Sequence, residues 1–347
     1  MTKNKSAQVS VIALWVLIIL AIMAVSVGRR VSLGLRLSGY QRDSLKAFYL
    51  AKAGLNRSIV ELQKYQVNPY SSLSESWSTG IDSSTHTSIL REIAATGKPG
   101  ESFNSVIIDE ESKLNLNIPL QNNFPDQLVK QILSELIVSR DQSMNLADAG
   151  EISDLLADWI DDDSNLISGG KEDASFKNKK LDLPEEFLNV LEYYYQSKRN
   201  PQYRDQARIL YNKIKDMITV FGSGEVNLNT VSPGLLSLMF EAQRAKDPAL
   251  LAVSPELLAQ KIVQFRQNGI FDSKLAADIA NKLALSGVNI SSEEQACLSG
   301  LERYLCVKSS NFLIESTGVA GNVSKKILAL AQIQNTLPGK IIAWYQN

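Results

Sequence analysis

From Gln8 to Gly28 the chain carries no charged residue, and Val9 to Val27 is almost wholly apolar. A helical run of ~20 apolar residues crosses the ~30 Å hydrocarbon layer of a bilayer. A secretory signal peptide has a shorter apolar region that ends at a small-x-small cleavage site. Here the segment instead runs on through Arg29, Arg30 and Arg36 into a polar-apolar pattern. In that pattern Leu45, Phe48, Ala51, Leu55, Ile59 and Leu62 recur every three or four residues. This spacing predicts one helix that starts in a membrane and continues outside it as far as the breaker Pro69.

Beyond Pro69 the pattern changes several times. Residues 68–82 are Ser-rich with Pro69 and Gly80, a loop. Phe103–Ile108 and Leu114–Ile118 read as two short strands around the turn DEESK. Residues 124–299 have helical periodicity, with starts at Asp126, Asp148, Pro184, Pro233 and Ser254. From Asn311 the alternation of strands returns in NFLIESTG, VSKKILALAQIQ and GKIIAWYQ, divided by Gly321-Asn322 and Pro338-Gly339. Strands on both sides of a helical block predict an α+β fold, one sheet domain with an α-domain inserted into it. The expected divisions are a short charged segment at 1–7, a first sheet part at 8–120, an insert at 121–299 and closing strands at 300–347.

Composition narrows the function only by exclusion. A formal net charge of −1 gives no global attraction for nucleic acid or an anionic surface. The single histidine, His86, lies in a Ser/Thr-rich stretch, and no GxSxG motif exists, so nucleophilic catalysis has no signature. The chain reads as non-enzymatic. Cys297 and Cys306 form neither a CxxC redox motif nor a zinc pattern. In an oxidising compartment they are expected to pair. In a reducing one they would be two buried thiols. Lys3 and Lys5 flank one end of the apolar helix and Arg29 and Arg30 the other, so positive charge leaves the orientation open.

The leader MTKNKSA followed directly by QVSVIALWVLIILA resembles the type IV pilin and pseudopilin class. The resemblance implies cleavage by a prepilin peptidase between Ala7 and Gln8, with Gln8 as a methylated new terminus. The sequence departs from the class pattern twice, with Ala7 where Gly is usual and Ile12 where most members have Glu. A carboxylate in an apolar helix is costly unless paired. A subunit lacking it has none to offer a neighbour, which suits the end of a fibre. Together with IIDEESKLNLN, LADWIDDDSNLISGGKED, FGSGEVNLNT and SSNFLIESTG, this resembles the K-type minor pseudopilins of type II secretion over nearly the whole chain.

That resemblance implies a single-pass inner-membrane protein, most of it periplasmic, at the tip of a pseudopilus. A pilin-like helix and small antiparallel sheet would carry the inserted helical domain, of helix-hairpin-helix or SAM-like type. Its implied partners are the I- and J-type minor pseudopilins, the prepilin peptidase and the membrane, then the secretin or a secreted substrate.

Seven carboxylates lie between Asp154 and Asp173, with only Lys171 among them. Asp161, Asp163, Asn165 and Glu172 fall at positions one, three, five and twelve, the oxygen-ligand spacing of a calcium loop. Leu166 replaces the Gly of an EF-hand, so the loop must turn differently, and Asp173 can take one of the ligand places. The competing reading is a solvated acidic loop. K-type resemblance implies calcium, and all-oxygen ligands favour it over zinc. Trp159 and Ile160, just before the ligands, are expected in the core.

The alternative function is a membrane-anchored helix-hairpin-helix protein of DNA uptake, suggested by EVNLNTVSPGLLSLM and ELLAQKIVQFRQNGIFDS. Such modules bind phosphate through a Gly-hydrophobic-Gly hairpin, which is missing here. Residues 226–290 also hold six Lys/Arg against five Asp/Glu, too balanced for a phosphate-binding face, so no nucleic-acid partner is expected.

Overall fold

The computed structural model describes residues 3–82, 101–118, 120–121, 124–161, 176–333 and 339–346. Its first element, α1, is one helix of 62 residues from Lys3 to Lys64, roughly 90 Å at the usual rise. Near its amino end it contains an 18-residue window of mean hydropathy 2.9, none of which is buried against the rest of the chain. By length and composition this helix can cross a membrane. Ala7 and Gln8 lie in its first turns, their side chains outside the described residues.

The chain then forms β1 (Ile81–Asp82) and β2 (Glu101–Asp109). The expected strand at 114–118 is shorter than predicted. Only β3 (Leu114–Asn115) pairs, parallel to β6 (Ile218–Thr219), while β4 (Leu120–Gln121) and β5 (Phe124–Pro125) make a small hairpin.

Nine helices in all are described, and eight follow α1. They are α2 (Gln127–Arg140), α3 (Leu146–Ile160), α4 (Phe187–Ser197), α5 (Tyr203–Ile214), α6 (Pro233–Lys246), α7 (Pro255–Arg266), α8 (Ala276–Leu285) and α9 (Ser292–Leu301). Asp126 caps α2 by accepting the N–H groups of Leu128 and Val129, and Ser232 caps α6 ahead of Pro233. α3 begins two residues before the expected Asp148, because Asn145 accepts the Asp148 N–H at 2.8 Å and is the true cap.

Residues Val226–Asn227 (β7) and Leu305–Cys306 (β8) pair in parallel. Then come β9 (Asn311–Ala320), β10 (Val323–Gln332) and β11 (Lys340–Gln346). β1, β2, β9, β10 and β11 form one antiparallel sheet in that order. Gly321, at φ 58°, starts the two-residue hairpin between β9 and β10 as the first central residue of a primed turn.

The second half of α1 lies across this sheet. Its buried face is Ala47, Ala51, Leu55, Ser58 and Leu62, while Leu45 from the expected series is 58% exposed. Small residues take the centre because helix and strand nearly touch. A Cβ on Gly318 of β9 would stand 2.1 Å from the Ala47 carbonyl oxygen and 2.4 Å from the Ala51 nitrogen. Ser105 Oγ donates to Ser316 Oγ, and Ser316 Oγ to the Ala51 carbonyl, each at 2.7 Å. Two strands and the helix thus share one buried hydroxyl chain.

Two cores result. One joins α1 to the sheet, from Ala51 and Leu55 through Ile107 to Phe312 and Ile327. The other, inside the helices, runs from Leu114 to Leu305. The helical core therefore takes in Leu114–Ile118 and Leu301–Leu305, beyond both ends of the expected insert. The fold is α+β, a long helix and small antiparallel sheet with a helical domain let into it.

Gly318→Ala should destabilise the full chain by about 3 kcal/mol, because the atoms in the way are backbone. Gly150→Ala, inside α3 with nothing near its Cβ position, should be neutral or stabilising by up to ~1 kcal/mol. Melting of both variants in detergent micelles checks the contrast.

Candidate functional site

Of the five expected metal ligands only Asp161 is described; Asp163, Asn165, Glu172 and Asp173 lie outside the described residues. Asp161 is the C-cap of α3, its N–H bonded to the Ala157 carbonyl at 3.1 Å, and its side chain is buried. Asp158, one turn back on the same helix face, is fully buried too. Asp154, one further turn back, is paired with Lys130 of α2. Trp159 and Ile160 sit in the helical core, as expected. Trp159 packs on Phe176 with centroids 4.9 Å apart, so the two stems of the acidic loop are clamped together. Among the described residues no group of three or more metal-binding side chains is assembled.

A second concentration of carboxylates, missed in the sequence, lies where β2 ends. Asp109, Glu110 and Glu111 are consecutive, and all three are buried. Asp109 Oδ1 accepts the Glu111 N–H at 2.9 Å. Its Oδ2 accepts Ser309 Oγ–H at 2.6 Å, Asn227 Nδ2–H at 3.3 Å and the Thr230 hydroxyl. Glu111 accepts Asn311 Nδ2–H at 2.8 Å and the Asn311 N–H at 3.1 Å. Glu110 pairs with Lys113 Nζ at 2.6 Å and takes the Thr219 hydroxyl.

Around this node the remaining connections close. Asn227 Nδ2 also donates to Ser309 Oγ at 2.7 Å and to the Ser71 carbonyl at 3.1 Å. Lys308 Nζ donates to the carbonyls of Asn68 at 2.8 Å and Tyr65 at 2.9 Å, in the turn that follows α1. Asn117 Nδ2 reaches Val220 O at 3.0 Å and Leu181 O at 3.1 Å. The sequence stretches IIDEESKLNLN, FGSGEVNLNT and SSNFLIESTG, each weak alone, meet here in space.

Burial first, then the neighbouring Glu111 carboxylate, raises the pKa of Asp109 to about 8, against the pull of its hydroxyl donors. Burial lowers that of Lys308.

The expected bridge between Cys297 and Cys306 is not formed, and both thiols are free. Cys297 is buried in α9 with its Sγ 4.0 Å from the Phe240 carbonyl, whereas Cys306 is held in β8 against Asn227. A nine-residue separation brings them close in sequence, but helix and strand aim them at different neighbours. Burial pushes the Cys297 thiol up to about 12 and Cys306 higher, the latter helped by Asp109 and Glu111. Neither thiol is a nucleophile near neutral pH.

No family model and no curated protein matches the sequence. Among solved structures the chain is similar to a chain of the GspK-GspI-GspJ complex from the type 2 secretion system of enterotoxigenic Escherichia coli. The TM-score is 0.61 at 17% identity, over 89% of this chain and 99% of that one. The fold is thus like that of a pseudopilin chain of this complex over nearly its whole length.

The node carries a pH signature. Folded Asp109 keeps its proton between the ordinary carboxylate range and about pH 8, while the unfolded chain releases it. Stability contributed by the protonated node should therefore fall as pH rises across that window and level off above it. Asp109→Asn should remove most of this slope while Asp43→Asn, a control on the partly exposed face of α1, should keep it. Denaturant unfolding at pH 5, 6.5 and 8 reads the difference.

Proposed function

We propose that this chain is a non-enzymatic K-type minor pseudopilin, seated at the tip of a short periplasmic pseudopilus and supporting export of folded proteins. The observation that carries this reading is a pair of features on one continuous helix. The amino-terminal half of α1 is apolar and buries nothing against its own chain, while the other half is the spine of a sheet domain with a whole helical domain let into it. An uncovered apolar helix calls for a bilayer, and beyond it for neighbouring helices. An inserted domain as large as the sheet domain makes the subunit too wide to be stacked inside a fibre. Ile12 in place of the usual Glu fits an end position in the same way. The relative of like fold was crystallised with GspI and GspJ, and the same two classes are the natural partners here. The full chain, co-expressed with the I- and J-type pseudopilins of its own organism, should co-elute with them in detergent as a ternary complex. Elution of the chain alone, with I and J still bound to each other, would overturn the assignment.

We also infer a calcium ion in the acidic loop. Asp158 and Asp161 are buried on one face of the last turn of α3, at the point where Asp162, Asp163, Glu172 and Asp173 follow. Carboxylates so crowded in sequence, two of them buried, favour a cation among them. Asp161, Asp163, Asn165, Glu172 and Asp173 would hold it, and Asp158 stands behind Asp161 in support. The ion would supply charge neutralisation and a fixed loop conformation. At a hundredfold excess over Kd the folded state should gain about 2.7 kcal/mol, so the full chain should melt higher in calcium than in chelator. Asp161→Ala with Asp163→Ala should abolish the difference, and magnesium should substitute poorly. Identical melting with calcium and chelator would leave a solvated acidic loop and leave the pseudopilin reading intact.

A further inference from the structure

Between the loop that follows α1 and the carboxyl end of α7 lies a cleft of about 310 Å³, lined by Ser72, Leu73, Ser74, Val263, Arg266 and Gln267 among others. One wall comes from the pilin-like part and the other from the inserted helices. Arg266 is the charged group in it. Its Nη1 donates to the carbonyls of Leu228 and Val231, both at 2.9 Å, which fixes the side chain. No carboxylate pairs with it among the described residues, and burial alone lowers its pKa, to about 10.

A half-desolvated guanidinium without a counter-charge is an expensive arrangement, and two neutral carbonyls at one nitrogen do not balance it. The nearest acid in sequence to the cleft wall, Glu75, is turned away, accepting Trp77 Nε1–H at 2.7 Å, Asn68 Nδ2–H at 2.9 Å and the Ser72 N–H at 3.1 Å. Asn229, also in the cleft wall, is fully occupied with Phe271, donating to its carbonyl at 2.8 Å and accepting its N–H at 2.9 Å.

The remaining polar groups can donate to a bound anion. Ser72 Oγ accepts the Ser74 N–H at 3.1 Å and lies 2.8 Å from Ser74 Oγ. Either hydroxyl of this pair can donate to the other, and the one that accepts has its proton left for an acceptor in the cleft. The Gln267 amide is exposed beside it.

We propose that this cleft binds a carboxylate presented by an acidic side chain of a partner protein, with the planar fork of Arg266 as its anchor and Ser74 as second donor. The fork matches a carboxylate in two parallel hydrogen bonds. Leu73, exposed at the rim, and Val263 offer apolar contact that a bare ion cannot use. Phosphate of nucleic acid is the weaker candidate, since the surrounding helices are nearly neutral in charge. An occupant here would touch both parts of the molecule at once.

The test uses the full chain in uncharged detergent and a fluorescent Ala-Leu-Asp-Leu-Ala peptide, blocked at both ends, beside its Asn counterpart. Fluorescence polarisation should show the Asp peptide binding at least tenfold tighter. Arg266→Gln should erase that preference. Because it also loses the bonds to Leu228 and Val231, a second variant is needed. Ser74→Glu keeps those bonds, places a carboxylate in the cleft, and should abolish peptide binding while raising the melting temperature. Equal binding of the Asp and Asn peptides by the unaltered chain overturns the proposal. So does competition by a single-stranded oligonucleotide or by sulfate at concentrations where glutamate has no effect.

Discussion

Three consecutive carboxylates at the end of β2 must be buried, and only Glu110 has a lysine for company. Asp109 and Glu111 depend on neutral donors, and a buried acceptor that loses its donor costs about 1–3 kcal/mol. Those donors come from three places that the chain reaches at very different times. Thr230 and Asn227 belong to the helical domain, Ser309 to Asn311 open β9, and Asn227 ties in Ser71 after α1. Satisfying Glu111 with both amides of Asn311 fixes the first residue of β9. That in turn sets the register in which Asp109 stands opposite Phe312. A slip of one residue would turn Phe312, Ile314 and Ser316 away from α1. The junction and the sheet are therefore one problem with one solution.

The contact between α1 and the sheet shows why that register matters. Gly318 can receive the backbone of α1 only if it points at the helix, and Ser316 can reach the Ala51 carbonyl only from the same face. Both conditions hold in a single register. The carboxylate node thus acts at a distance of several residues on the closest packing in the molecule. α1 is continuous from its apolar half to Lys64, so the half that packs on the sheet and the half that can cross a membrane belong to one helix.

Local chemistry was legible in the sequence, and long-range chemistry was not. Helix starts at Asp126, Pro184, Pro233 and Ser254 could be read because the signals are local: Asp126 and Ser232 cap within three residues of themselves, and Pro184, Pro233 and Pro255 stand in the first turn. Asn145 was overlooked in favour of Asp148, since both are good acceptors and only the geometry shows which one receives an N–H. Strands β9 to β11 were visible in their alternation. The carboxylate node was invisible, because Asp109 meets Thr230 and Ser309 across 121 and 200 residues of chain. The cysteines failed for the same reason: nine residues apart in sequence, they are separated by the end of a helix and the start of a strand. Asp158 could have been found, because DWID places two acids one turn apart on one helix face.

Charge burial takes three forms in this chain, and they are not equivalent. At the node the complement is internal: hydroxyls, amides and one lysine supply it, and nothing further is needed. At the end of α3 two buried acids open onto a loop that adds four more, so the local excess of negative charge grows where the helix stops. At Arg266 the excess is positive and stands in a cleft. A fold that needed only stability would replace either of the last two with apolar residues at little cost or some gain. An internally completed network is explained by folding alone. A charge that its own cleft does not balance, as at Arg266, is better explained by something that arrives from outside, a partner's carboxylate.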